Sequence, residues 1–528
     1  MSESASTYPM SEAVRSAYRA GEDDEQMEPF TLVDAAGQPV GRFQDGDYVI
    51  FYNIRGEREV ELSQALVDET FEHFRRPPIR LRMSTMIQYD PSLPAKVAFP
   101  PLGEVRDGLI EVVTCSGRRV AKICESEKAI HVAFFLNGKR AEPWPGEERF
   151  VAASPTVKDY GTVPELNCRG VGDLAVEKLT SGAYELVVIN FANTDVVGHI
   201  ENEGAILRAV EAVDEQIGRV VARAVDENYI VLITADHGTV EKWYYPDGAI
   251  DTGHTDSLVP FVLVNASKDV MLRDGGALTD VSPTVLQLLD LPKPQAMTGN
   301  SLIVGDVQPP TGADRRRVLL VIADGWGYCE QTEGNLIAKA DTPNMDRLTA
   351  DWPMTTIEAA GEAVGMPAGS VGNSETGHLH IAAGRKIYAD RVRINKAIED
   401  GSFDTNPAWL DVMRGAKRDG TRLHLLGIVS FYSSHGSVDH LKALMRLAKA
   451  EGVPEVYLHS MLGRRGERPE SGAIYVGSVE QEAERLGVGK LVGVIGRFWS
   501  LDREHNWDRI EKTYRWLTEG TGRSVEDR

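Results

Sequence analysis

The sequence predicts an α/β fold with mostly parallel sheets, and three observations carry that expectation. Short, unbroken apolar runs recur along the chain: Tyr48 to Tyr52, Leu186 to Phe191, Ile230 to Thr234, Val318 to Ala323 and Leu423 to Ile428. Strands buried on both faces read as continuous hydrophobic segments, as in parallel sheets covered by helices. Between the runs lie longer segments with helical periodicity. In Glu203 to Ala224, for example, Ile206, Leu207, Val210, Val213 and Ile217 line one side. Strands alternating with helices make βαβ units and a parallel sheet. The length, 528 residues, allows two to four such domains.

The apolar share is 42% and the charged share 26%, which suits a globular chain. Lys and Arg total 57 against 79 Asp and Glu, a formal charge of −22. An acidic balance argues against general nucleic-acid binding and against attraction to anionic membranes, since both require basic surface. A small anionic substrate stays compatible, because a local arginine cluster overrides the net field. Four cysteines, Cys115, Cys124, Cys168 and Cys329, form no CxxC pair and no disulfide framework, which fits a reducing cytoplasm. The N-terminal segment lacks the apolar centre of a secretory signal. No run approaches the roughly 18 apolar residues of a membrane span. The first 30 residues are polar and acidic and read as a helix plus a tail. Val307 to Arg317 (VQPPTGADRRR) reads as a linker, because its Pro-Pro-Thr-Gly core continues neither helix nor strand.

Four segments carry residue types that do chemistry. Asp195 and His199, in NFANTDVVGH, follow an apolar run and share a face if the turn is helical. Asp236 and His237, in TADHG, sit side by side after another run, with His254 further on in DTGHT. Asp324 directly follows the run VLLVIA and is flanked by Gly325 and Gly327, as a metal ligand on a closely approached loop would be. Ser374 lies in the glycine-rich segment GSVGNSETGH, which is neither a GxxxxGK[ST] phosphate loop nor a GxSxG elbow. Taken singly, each has a plainer reading as a helix cap, a turn residue, a solvated His or a flexible loop. Taken together, three Asp, three His and one Ser suffice for two divalent ions. Mixed carboxylate and imidazole donors suit Mn²⁺, Zn²⁺ or Co²⁺ better than Mg²⁺ or Ca²⁺. A serine hydroxyl beside such a cation ionises more readily and can attack phosphorus.

The segments ADGWG, VGNSETGH, NFANTDVVGH, TADHG and TGHT, with AEPWPGEER at Ala141 to Arg149 and RINKAI at Arg393 to Ile398, resemble the cofactor-independent phosphoglycerate mutases of the alkaline-phosphatase superfamily. The resemblance implies an alkaline-phosphatase-like metal domain and a second α/β domain that binds substrate. It implies one metal on Asp195, His199 and His254, and another on Asp324, Ser374, Asp236 and His237. Ser374 would be the phosphoryl acceptor, and Lys128 resembles the family's lysine beside the phosphate. The ions would be Mn²⁺, with Zn²⁺, Co²⁺ or Mg²⁺ as alternatives. The order differs from the family's. There the IADGWG strand opens the chain, whereas here it begins near Val318, after MTGNSLI at Met297 to Ile303. The expected layout is therefore circularly permuted: substrate domain 1–100 and 388–528, metal domain 101–306 and 318–387, linker 307–317.

Anion binding by the second domain would fall to Arg55, Arg58, Arg465, Arg497 and Arg503, with His435. Planar guanidinium groups grip carboxylate and phosphate in bidentate fashion. Two of these segments depart from the family. Ser430 to Gly436 reads SFYSSHG, and Gly466 stands where an acidic residue should follow Arg465.

The expected activity is interconversion of 3- and 2-phosphoglycerate through a phosphoserine, by a cytoplasmic monomer with a phosphorylated small acid as substrate. The changed acceptor segments keep a second expectation open: a relative in a phosphonate natural-product pathway, moving a phosphoryl or phosphonoformyl group between a nucleotide-activated donor and phosphoglycerate. A non-catalytic binding protein on the same fold is the third.

Overall fold

A computed structural model describes residues 8–527, apart from positions 78, 246, 267–269, 306, 309, 311–314, 432 and 464–470. The chain divides into two compact units, Met1–Pro101 with Asp390–Arg528, and Leu102–Ala389. These boundaries lie one or two residues from the expected crossovers. The expected linker at 307–317 falls partly outside the described residues.

In the unit of residues 102–389, eight described strands form one sheet. Its order is Gly276–Ala277, Met354–Glu358, Val259–Val264, Ile230–Thr234, Val318–Ala323, Leu186–Phe191, Val120–Glu125, Glu147–Ala152. All six residues of Val318–Ala323 are buried, as the unbroken apolar run requires. This strand runs parallel to both neighbours, with Val318 opposite Leu186 on one side and Ile230 on the other. Val259–Val264 departs from the parallel pattern and runs antiparallel to both Ile230–Thr234 and Met354–Glu358. The helix Glu203–Asp226 starts at Asn202, whose side chain accepts from the Ala205 amide at 3.1 Å. It buries Ile206, Val210, Val213 and Ile217, while Leu207 sits only partly covered at the edge of the stripe.

In the other unit the sheet order is Arg523–Glu526, Phe30–Val33, Lys490–Gly496, Val456–Leu462, Leu423–Ile428, Tyr48–Phe51, Arg82–Ile87, Lys96–Phe99. The last six run parallel, and Phe30–Val33 pairs antiparallel with Lys490–Gly496. The expected N-terminal helix is Pro9–Arg19. It buries Met10, Val14, Ala17 and Tyr18, and the Glu480 carboxylate accepts from the Met10 and Ser11 amides at its start. In both units loops leave the carboxyl ends of adjacent parallel strands, where binding residues collect.

Candidate metal and phosphoryl site

Four neighbouring strands of the unit 102–389 each deliver polar residues at their carboxyl ends. Asp324 follows Val318–Ala323, Asp236 and His237 follow Ile230–Thr234, Asp195 follows Leu186–Phe191, and Lys128 follows Val120–Glu125. Backbone geometry lets these loops crowd. Gly325 has φ +78°, and a Cβ there would lie 2.9 Å from the Asp195 Cα. The helix Ser374–Ala383 is capped by Asn373, whose side chain accepts from the Thr376 amide at 2.9 Å. Gly377 lets this helix lie against the TADHG turn, since a Cβ would come within 2.5 Å of the Asp236 carbonyl oxygen. Ser374 is thereby fixed at the first turn of a helix, almost fully buried.

The hydroxyl of Ser374 is surrounded. Lys128 Nζ donates to its Oγ at 2.7 Å, and Oγ donates to Asp324 Oδ1 at 3.2 Å. His237 Nε2 lies 3.0 Å from the same oxygen. Lys128 Nζ also donates to Asp195 Oδ2 and Asp324 Oδ1, each at 2.6 Å. Burial opposes the charge on Lys128, but the carboxylates of Asp324, Asp195 and Asp236 outweigh it and hold the ammonium protonated. Burial likewise pushes Asp195 and Asp236 up. For Asp195 the ammonium of Lys128 prevails, and for Asp236 the nearby His237 and His378 do, so both stay ionised well below the usual carboxylate range. Asp324 moves the other way, raised first by burial and then by the charge on Asp236.

The imidazoles share one orientation. His199 Nδ1 lies 2.7 Å from the Thr252 carbonyl, His254 Nδ1 2.9 Å from that of Gly372, and His237 Nδ1 3.1 Å from that of Gly238. A proton on Nδ1, donated to a carbonyl, leaves Nε2 free to ligate. The three Nε2 atoms converge on Asp195 Oδ1, at 3.4 Å from His199, 3.0 Å from His254 and 3.7 Å from His237. Three buried carboxylates against one ammonium leave an excess of negative charge, and the donor set of carboxylate, imidazole and hydroxyl is one that divalent cations accept. Two groups are close enough to share an ion: Asp195, His237 and His254, and Asp236, Asp324 and His378. The residues present therefore fit divalent metal binding.

All seven expected metal residues, with Lys128, thus gather in one cluster. His378 and Asn190 were not among them. His378 is fully buried, with Nδ1 3.2 Å from Asp236 Oδ2 and 2.9 Å from the Ser374 carbonyl. Asn190 Nδ2 donates to Asp324 Oδ2 at 2.7 Å and lies 3.0 Å from His378 Nε2. Both stand inside the motifs already noted, and His378 is one helical turn beyond Ser374, a spacing that signals a shared face.

The expected anion-binding residues belong to the other unit and also follow parallel strands. Arg55 and Arg503 both reach Glu57 Oε2, at 3.4 and 2.9 Å, and Arg58 donates to the Leu501 carbonyl at 3.3 Å. Arg497, nearly buried, opens the short helix after Lys490–Gly496 and pairs with Glu25 at 3.1 Å. His435 is buried, its Nδ1 2.8 Å from Glu59 Oε1, and Asn53 Nδ2 donates to the same oxygen at 2.8 Å. Arg465 lies outside the described residues.

This chain resembles known proteins over separate parts of its length. A family model described as "Metalloenzyme superfamily" matches residues 56–293. A second, "BPG-independent PGAM N-terminus", matches residues 1–91 and 394–528. Each match covers less than half of the chain and marks a likeness to the metalloenzyme superfamily and to the BPG-independent phosphoglycerate mutases. Among the proteins it resembles, the 2,3-bisphosphoglycerate-independent phosphoglycerate mutase of Moorella thermoacetica is 43% identical over 297 residues, 56% of this chain and 57% of the relative. The protein of the same name from Thermomicrobium roseum is 42% identical over 301 residues, with the same shares. The matched region thus spans little more than half the length of these mutases. A solved structure of Leishmania mexicana phosphoglycerate mutase, at low cobalt concentration, is 30% identical, covering 52% of this chain and 53% of that one at a TM-score of 0.36. This chain forms two α/β units whose sheets are mostly parallel. Among the described residues no helix is long and apolar enough to cross a membrane.

Proposed function

We propose that this protein interconverts 3- and 2-phosphoglycerate through a phosphoserine on Ser374. The observation that carries the reading is the immediate surroundings of one hydroxyl: Ser374 Oγ contacts Lys128, Asp324 and His237 at once. The relatives' names give the reaction and the substrate.

Asp195, His199 and His254 would hold one divalent ion, and Asp324, Ser374, Asp236 and His237 the other. We assign Mn²⁺, with Zn²⁺, Co²⁺ or Mg²⁺ as alternatives, because the donors are mixed carboxylate and imidazole. Bound there, the ions would lower the pKa of the serine hydroxyl and offset charge on the phosphoryl oxygens. Ser374 Oγ attacks phosphorus as its proton moves along the existing hydrogen bond to Asp324 Oδ1. The bond from phosphorus to the glycerate oxygen breaks, and that oxygen takes up the proton that Asp324 received from Ser374. Lys128 keeps its ammonium against Oγ and holds the phosphoryl group in place. Arg55, Arg58, Arg465, Arg497, Arg503 and His435 would hold the acid while it reorients. The phosphoryl group then returns to the other hydroxyl, and Ser374 recovers its proton.

We also propose that the chain is a circular permutant of its relatives. In support, the family's N-terminal model matches two blocks at opposite ends of this chain, and the curated alignments stop at about 300 residues. The strand that opens the family's chains corresponds to Val318–Ala323, which here pairs between Leu186–Phe191 and Ile230–Thr234. The unit 102–389 would be the metal domain, and the other unit the substrate domain.

The test is an assay of the purified protein with Mn²⁺ and 3-phosphoglycerate, without added bisphosphoglycerate. Formation of 2-phosphoglycerate that is lost in Ser374→Ala supports the reading. Activity that survives in Ser374→Ala, or depends on added bisphosphoglycerate, rejects it.

A further inference from the structure

Beside the metal cluster, and within the same unit, opens a cavity of ≈ 930 Å³. His254, a proposed ligand, stands in its wall, so the cavity borders the reactive centre. The volume lies within the range of sites that take whole ligands and far exceeds what a three-carbon acid fills.

Its outer wall is a short hairpin that leaves the TADHG turn. Tyr244 pairs with Ile250 across it, and the Tyr245 amide donates to the Ala249 carbonyl at 2.8 Å. The base of the hairpin is held firmly. Trp243 is buried and its amide donates to the Gly334 carbonyl at 2.8 Å. The Glu241 carboxylate accepts from the Thr239 amide at 2.9 Å and from the Thr255 hydroxyl. On that base Tyr244 and Tyr245 line the cavity while remaining 46% and 50% exposed, the Tyr244 ring lying close to Gly334, and Val371 adds an apolar edge at 46%. Half-exposed tyrosines on a firmly held base suit stacking against another ring.

The charges in the wall narrow the occupant. Asp251, Asp256 and Glu333 are acidic, and Lys242 is neutralised by Asp256 at 2.6 Å. A second phosphate or a carboxylate would meet repulsion there. The anionic end of a ligand is therefore directed to the metal cluster, and the group in the cavity carries no negative charge.

We propose that this cavity receives the aromatic ring of a phosphomonoester, aryl or nucleobase, whose phosphate lies at Ser374. The proposal rests on the phosphoryl site described under the proposed function, and it adds a substrate class distinct from phosphoglycerate. Stacking of the ring is expected to strengthen binding about ten-fold over an aliphatic phosphomonoester of similar charge.

The experiment uses the full chain loaded with Mn²⁺ and carrying Ser374→Ala, so that nothing turns over. Calorimetry compares phenyl phosphate with glycerol 2-phosphate, and adenosine 5′-monophosphate with ribose 5-phosphate. Tighter binding of the aromatic partner in either pair supports the proposal, provided the difference collapses when Tyr244→Ala and Tyr245→Ala are added. A thermal melt establishes that the added substitutions leave the fold intact. Equal affinities in both pairs, or a preference that survives loss of both tyrosines, overturns it. Absence of binding by all four compounds overturns it as well, by removing the phosphoryl site. Failure of phosphoglycerate interconversion with the ring preference intact would sink the mutase reading alone.

Discussion

Lys128 Nζ lies 2.7 Å from Ser374 Oγ and 2.6 Å from a carboxylate oxygen of both Asp195 and Asp324. One ammonium thus joins the hydroxyl to residues from two further strand ends. Lys128→Met leaves three buried carboxylates without it. Breaking a buried pair on one side costs about 3–5 kcal/mol, so the metal-free variant is expected to melt well below the parent. Added Mn²⁺ should recover most of that stability, because cations can take over the ammonium's charge. Melting curves with and without metal check this; a variant as stable as the parent without metal would count against it.

The shared orientation of His199, His237 and His254 predicts a dependence of stability on metal. Saturation at 100 times Kd raises stability by about 2.7 kcal/mol. A chelator should lower the melting temperature of the parent, and Asp195→Asn should abolish the response. Asp195 is the informative position because all three Nε2 atoms face its Oδ1.

Glu125 gives a pH prediction away from the proposed ligands. It ends the strand Val120–Glu125, fully buried, and accepts from the Ser154 hydroxyl at 2.9 Å and the Asn167 amide at 3.0 Å. Burial raises its pKa from 4.5 to about 7. The folded state therefore binds this proton more tightly than the unfolded chain does. The resulting stability is fully present below pH 4.5 and is lost as pH rises through about 7. A shift of this size corresponds to about 3 kcal/mol. Glu125→Gln removes the dependence, so its stability should gain on the parent's from about pH 4.5 to pH 7. Denaturant midpoints across that window test it, and parallel curves would contradict it.

Gly377 is expected to tolerate no side chain. In Gly377→Ala the new Cβ would meet the Asp236 carbonyl oxygen at 2.5 Å. The helix that carries Ser374 must then shift, at a cost of about 1–3 kcal/mol. Turnover should fall by orders of magnitude, since misplacement of about 1 Å already costs about 100-fold. Melting and turnover measured on the same preparation check both effects.

Much of this architecture was legible because its causes are local. Val318–Ala323 and Leu186–Phe191 are central strands buried on both faces, so the run itself announces them. Asp324, Asp236 and Asp195 follow such runs, and ligand-bearing loops leave parallel strands at that end. What the sequence did not reveal depends on partners far along the chain. Val259–Val264 turns antiparallel because of where its connections lead, and the run VPFVLV carries no mark of direction. His378 looked like one more residue of a glycine-rich loop; only the packing of its helix sets it between Asp236 and Asn190. Glu59, buried beneath His435, had no apolar period or motif to single it out.

The central claim is that Ser374 carries the phosphoryl group. Brief incubation of the protein with Mn²⁺ and 3-phosphoglycerate, acid quenching and peptide mass spectrometry would test it most directly. A phosphate on the peptide containing Ser374, absent from Lys128→Met and from protein treated with chelator, is the predicted result. Conversion of 3- to 2-phosphoglycerate at full rate with Ser374 unmodified throughout would contradict the account.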